Sequence, residues 1–214
     1  MCIGMKDKGE NMARIKNIRL RRILNSNADW TVEAEVFLKN GSWGRGASPT
    51  AIVPGKKEKR VTDRVNIQKL NVLEVKLKKQ LVEKELEQQE LDEYLSRELE
   101  EIGTDVSLAL SLAFARAVSD FLKMEFVEYL SEQLNDGLRL SVPYILVPVF
   151  SGGVHSKNSE NRDSFQQIMV CIREGRIEEK YEISKELSRT TEEQLIKRQK
   201  DFIVAASGGY VVEA

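Results

Sequence analysis

The stretch "IKNIRLRRILNSNADWTVEAEVFLKNGSWGRGASP", Ile15 to Pro49, decides the fold. Its opening run, "IKNIRLRRIL", alternates apolar and basic residues. "TVEAEVFL" then sets Val32, Ala34, Val36 and Leu38 against Thr31, Glu33, Glu35 and Phe37. A period of two with one apolar face is the pattern of a half-buried strand. Asn40-Gly41 supplies a hairpin turn, and a short third strand follows it. The local text predicts three strands in antiparallel succession.

Downstream, the periodicity changes. "PTAIVPGKKEKR" carries two prolines, a glycine and a basic run, so it reads as a solvated loop. Leu77, Leu81, Leu86, Leu91, Leu95, Leu99 and Ile102 then recur every three to five residues among Glu, Lys and Gln, a helical spacing. The five-residue steps break a strict heptad, which favours a charged, solvated face over a coiled coil. "GTDVSLALSLAFARAVSDFL" reads as a buried central helix capped by Thr104 or Asp105, with Ala109, Ala113 and Ala117 letting neighbouring helices come close. "MEFVEYLSEQLNDG" predicts a short amphipathic helix that ends at Gly137.

"YILVPVF" reads as a buried strand and "FQQIMVCI" as a second one, joined by a loop holding Gly152, Gly153 and His155, the only histidine. A long charged helix from Glu178 to Phe202 has sparse apolar positions at Ile183, Leu187, Leu195 and Ile196. The tail "IVAASGGYVVEA" is either a terminal hairpin or a frayed end. The fold class expected is α+β: a three-stranded antiparallel meander on a helical layer, then a strand-loop-strand unit and a long C-terminal helix. The expected division is a disordered extension over 1–13, a first domain over 14–140 and a second over 141–214.

Bulk composition excludes several function classes. Lys plus Arg total 33 against 34 acidic residues, a net charge of -1, so no basic face for nucleic acid or an anionic membrane is expected. Cys2 and Cys171 form no CxxC or His-Cys pattern, which predicts reduced thiols and a cytoplasmic setting. "MCIGMKDKGENMAR" lacks an apolar core of signal-peptide length, and "YILVPVF" is too short to span a bilayer.

Three ordered segments make the chain resemble the enolases. "RRILNSNADWTVEAEVFLKNGSWGRGASP" is similar to the family's R-x-I-L-D-S-R-G-N-P-T-V-E-V-x-V strand pair and the G-R-A-A-x-P after it, through Ile23, Leu24, Ser26, Thr31, Val32, Glu33, Val36, Gly44, Arg45, Ala47 and Pro49. "VPVFSGGVHS" resembles the family's P-V-P-x-x-N-x-x-x-G-G-x-H-A loop. The helical text between them matches at Gly103, Ser111, Leu112, Ala113, Ala117, Tyr129 and Leu130. The resemblance covers Arg14 to Val170. It implies an enolase N-terminal-like domain followed by the start of a barrel, and a glycolytic, magnesium-dependent lyase ancestry.

The same alignment shows where the family's chemistry is missing. Val53 stands where the mobile loop carries a magnesium-binding serine, and valine offers no oxygen to a hard cation. Pro54 stiffens that loop. Gln166 matches a substrate-side glutamine, but Gln167 replaces the glutamate of the acid-base apparatus. A carboxamide hydrogen-bonds without exchanging a proton near neutral pH. The loop between His155 and Gln166 is two residues longer than the family's. Only 44 residues (214 less 170) follow Val170, against about 250 in a whole barrel. A barrel remnant without its catalytic lysine and acidic magnesium ligands is therefore expected.

No catalytic residue, metal or cofactor is expected of this chain. His155 reads either as a turn or solvent-facing residue, or as an anion contact beside the Gly152-Gly153 amides. Glu33 matches a family acidic residue at the dimer contact, whose arginine partner lies in the neighbouring barrel. The functional expectation is an enolase-like pseudoenzyme acting through protein contact, with itself or with a full-length enolase. The alternatives are a phosphopyruvate hydratase active only with a separate barrel chain, and an unrelated helical interaction module. Exposed strand edges of a barrel remnant need a cover, either the C-terminal helix or another chain.

Overall fold

A computed structural model describes residues 13–26, 28–49, 67–134, 141–152, 165–205 and 208–212. The chain divides into two compact units, Met1–Leu138 and Arg139–Ala214. In the first, β1 (Ala13–Leu24), β2 (Trp30–Leu38) and β3 (Trp43–Ala47) form the expected antiparallel meander. Alternation sends Ile18, Leu20, Val32, Ala34, Val36 and Leu38 inward, where all are buried. Gly41 takes φ +97° in the turn after β2, a conformation that excludes most side chains.

The sheet has a fourth strand that the meander did not predict. Helix α1 (Ile67–Leu81) stops where the leucine spacing stretches to five. Glu83 turns left-handed at φ +67° and donates its N–H to the Ile15 carbonyl at 2.9 Å, while the Ile15 N–H reaches the Lys84 carbonyl at 3.1 Å. This docks β4 (Glu85–Leu86) beside β1 and gives the order β3-β2-β1-β4. Leu86 therefore sits in a strand, not on a helix face.

Helices α2 (Gln88–Arg97), α3 (Leu99–Ile102), α4 (Thr104–Leu122) and α5 (Phe126–Gln133) follow. The start of α4 is also different from expectation: Gly103, at φ +84°, holds the N-cap position, and Asp105 lies inside the first turn, its Oδ1 accepting from the Val106 N–H. As predicted, α4 is the central helix, with Val106, Ala109, Leu110, Ala113, Phe114, Ala117 and Val118 fully buried. Its alanine stripe, however, meets a strand and not a helix. A Cβ on Gly44 would lie 2.3 Å from the Ala113 carbonyl oxygen and the Ala117 nitrogen, and one on Gly46 would lie 2.4 Å from the Ala109 carbonyl oxygen. Small residues on both sides let β3 and α4 touch backbone to backbone. No helix among the described residues is long and apolar enough to cross a membrane.

In the second unit, β5 (Ile145–Ser151) and β6 (Gln167–Ile172) pair antiparallel. Helix α6 (Ile177–Lys197) packs on β5, burying Lys180 and Leu195, while Ile183 and Ile196 stay exposed. The tail resolves its two readings as a hairpin, β7 (Phe202–Val204) and β8 (Tyr210–Val212). β8 runs parallel to β5 at Phe150–Tyr210, so the sheet order is β6-β5-β8-β7. β5 is less buried than its apolar text implies: Val147 and Ser151 are buried, but Leu146 is exposed. The reason is coverage: among the described residues of this unit one helix, α6, packs on the four-stranded sheet, too little to hide both of its faces. Residues 50–60 of the predicted loop, and Gly137, lie outside the described residues.

Candidate functional site

Two groups of predicted residues have a described setting, one in each unit. The first is the outer face of the β1-β2-β3 sheet, which carries Glu33. Strand register sets Arg21 opposite Glu33, and Arg19 opposite Glu35, which is itself opposite Arg45. The Glu33 carboxylate accepts from Arg21 Nη2 at 3.1 Å and faces Arg45 Nε at 3.5 Å; Arg21 also bonds Glu35. The side chains of Glu33 and Glu35 are only 12% and 10% exposed, although they lie on the outward face. Arginine stems fold over them, with Arg19 above the Phe37 ring at 5.2 Å and Phe37 stacked on Trp43.

Each carboxylate oxygen of Glu33 thus faces an arginine of its own chain. Arg21 and Glu35 are not among the residues the sequence reading names as site candidates, and Arg45 enters it only as a match to the family's strand text. Their signal was present in the basic residues of "IRLRR" and the glutamates of "VEAE", which the hairpin register brings face to face.

At the sheet's β3 edge, Arg116 of α4 donates to the Arg45 carbonyl at 2.7 Å and lies over the Phe126 ring at 4.8 Å. Asp120, one turn on, accepts from Lys123, the Ser42 hydroxyl and the Trp43 N–H, and the Lys123 bond is the largest of the causes that hold its carboxyl below the usual range. A shallow depression is left between these parts, lined by Glu33, Trp43, Gly44, Arg45, Ala47 and Arg116. Two arginines, Arg45 and Arg116, against the one carboxylate of Glu33 make its lining net positive, and its chemistry is that of a contact surface. Its described lining holds no nucleophile and no general base without a partner.

The second group sits at one end of the β5-β6 hairpin. Gln167 begins β6, half-buried, opposite the buried Ser151. Gln166 precedes it, exposed, and its carbonyl accepts from the Gly152 N–H at 2.9 Å. The fold thus joins Gly152, Gln166 and Gln167 within one ladder step. Gly153, His155 and Val53 lie outside the described residues. β8 closes the same end, where a Cβ on Gly209 would lie 2.5 Å from Ser151 Oγ. The Tyr210 hydroxyl donates to the Ser188 carbonyl at 3.1 Å, and burial, then Glu192, pushes its pKa up.

This end of the hairpin presents amides, a hydroxyl and backbone groups. These described groups can position a polar ligand, but amides and a serine hydroxyl do not take or give a proton near neutral pH. The described residues bring no three carboxylate, imidazole or thiol groups together, so the magnesium that the resemblance implies finds no fitting donor set among them.

Independently of the site, residues 15–130 match the family model described as "Enolase, N-terminal domain".

Proposed function

The chain belongs to the enolase family through its N-terminal domain, and from that premise we propose that it is a non-catalytic member acting by contact with another protein. Gln167 carries the reading. It stands where the family's proton-handling glutamate is expected, at the head of β6 beside Gln166 and Gly152. A carboxamide matches the carboxylate in volume and can hold a hydrogen bond. It cannot cycle between protonated and ionised forms, and removing a general acid or base costs typically ~10²–10⁴-fold in rate. Val53 adds a second lost function on the same alignment, at the position of a magnesium-binding hydroxyl.

The partners proposed are a second copy of this chain or a full-length enolase, met in the cytoplasm. The family match removes the unrelated helical module from consideration. Activity restored by a separate barrel chain is disfavoured too, because position 167 belongs to this chain and would still be an amide.

The test is direct. The purified chain, incubated with 2-phosphoglycerate and magnesium, should give no rise in phosphoenolpyruvate absorbance. Gln167→Glu alone should not create one either. Turnover by the pure chain at a rate near that of an ordinary enolase would overturn the proposal.

A further inference from the structure

The two sheets present four edges, and three of them are defended. β3 is covered by α4, and two of its outward groups, the Arg45 carbonyl and the Trp43 N–H, are taken by Arg116 and Asp120. β4 is two residues long and β7 three. Charge, cover and shortness are the usual protections of a sheet edge. Among the described residues, β6 has none of them. Its six residues contain no charge and no proline, and Ile168, Met169, Val170 and Cys171 are all exposed.

The direction of its free backbone groups follows from the ladder. The Gln166 carbonyl bonds inward to Gly152, and in an antiparallel pair alternate residues turn inward and outward. Ile168, Val170 and Ile172 therefore bond towards β5. Gln167, Met169 and Cys171 direct their N–H and C=O groups away from the sheet. Pro148 agrees with this phase, since it faces Met169, where the ladder needs no N–H from it.

We propose that β6 pairs antiparallel with β6 of a second copy of this chain, about a two-fold axis at Met169. The inference rests on the reading that the chain acts through protein contact. In that register Met169 faces its own equivalent, Gln167 faces Cys171 of the second copy, and Ile168 faces Val170. The outward groups of three residues then make about six backbone hydrogen bonds. Phe165 falls opposite Arg173, so no like charges meet, and a cation lies against an aromatic ring. A strand that is uncharged, exposed and self-complementary fits a second copy, because an isologous interface needs each residue to accept its symmetry mate. A foreign strand would need no such symmetry.

The experiment is sedimentation velocity on the full chain at tens of micromolar. Wild type should sediment with the mass of two chains. Met169→Lys and Met169→Glu should each halve that mass, because each sets like charges across the axis. Mixed one to one at low salt, the two variants should regain the doubled mass. Circular dichroism checks that each stays folded, and the mixture separates a lost interface from a lost fold. A monomeric wild type, a dimeric Met169→Lys or a monomeric mixture would overturn the pairing. These outcomes read mass alone, whereas the non-catalytic reading stands or falls on product formation.

Discussion

Replacing Gly44 with alanine tests the central packing of the first unit. The added methyl would sit 2.3 Å from both the Ala113 carbonyl oxygen and the Ala117 nitrogen, and 2.8 Å from the Arg116 carbonyl carbon. Ordinary contact for carbon begins near ~3.5 Å, so α4 must retreat from β3 by about 1 Å. The blocked atoms are helix backbone and cannot swing aside. A retreat also pulls Leu110, Ala113, Phe114 and Ala117 away from the sheet, and all four are fully buried. Overpacking usually costs about 1–3 kcal/mol, and a clash with backbone on two sides belongs at or above the top of that range.

Urea unfolding followed by tryptophan fluorescence measures it, since both tryptophans, Trp30 and Trp43, lie in this unit. With a slope of ~2 kcal/mol per molar, a loss of ~3 kcal/mol moves the midpoint down by about 1.5 M. Gly41→Ala is the control, because nothing lies within 4 Å of its new methyl and only its φ of +97° is strained. It should cost about 1–2 kcal/mol. Adding Ala113→Gly to Gly44→Ala should recover nothing, because the obstruction is not the Ala113 side chain. A Gly44→Ala protein within 0.5 kcal/mol of wild type would refute the close β3-α4 contact.

Phe114→Ala should cost about 3–5 kcal/mol in the same titration, since that ring is fully buried in the core cluster. Glu33→Gln should cost about 1 kcal/mol, and the loss should shrink in high salt, because Arg21 and Arg45 are half exposed and keep part of their hydration. Lys76 bonds Glu98 at 2.7 Å and also Glu101; the Glu101 bond first, then Glu98, raises its pKa above the usual lysine value. The folded state therefore binds that proton more tightly than the unfolded chain does. Its contribution is complete below the ordinary lysine pKa of about 10.4 and is lost as pH rises through the folded value. The stability gap between wild type and Lys76→Met should narrow above about pH 10.4, and a gap that widens there would contradict the ion cluster. Tyr210→Phe should cost about 1 kcal/mol by removing the hydroxyl bond to the Ser188 carbonyl, read by hydrogen exchange in the terminal hairpin.

Much of the fold was legible because strand and helix periods are local. The alternation of Val32, Ala34, Val36 and Leu38 needs no distant partner to be read, and neither does the Asn40-Gly41 turn. β4 escaped because two residues carry no period; its position depends on backbone bonds to Ile15, some seventy residues earlier. The alanine stripe of α4 was seen, but its partner was misassigned, since small residues invite any close neighbour equally. At the candidate site, the amide at Gln167, where the resemblance implies a glutamate, could be named from the sequence alone. That Glu33 has its cations at home could not.

From its amino acids alone, then, this chain specified most of its elements, because these follow from residue type and near spacing, and its ordered motifs carried the resemblance to its family. Tertiary structure decided which elements touch: the fourth strand, the glycine contact of β3 with α4, the paired glutamates and the open edge of β6. Those depend on where distant segments come to rest, and a hydrogen bond or an ion pair exists only once both partners are in place.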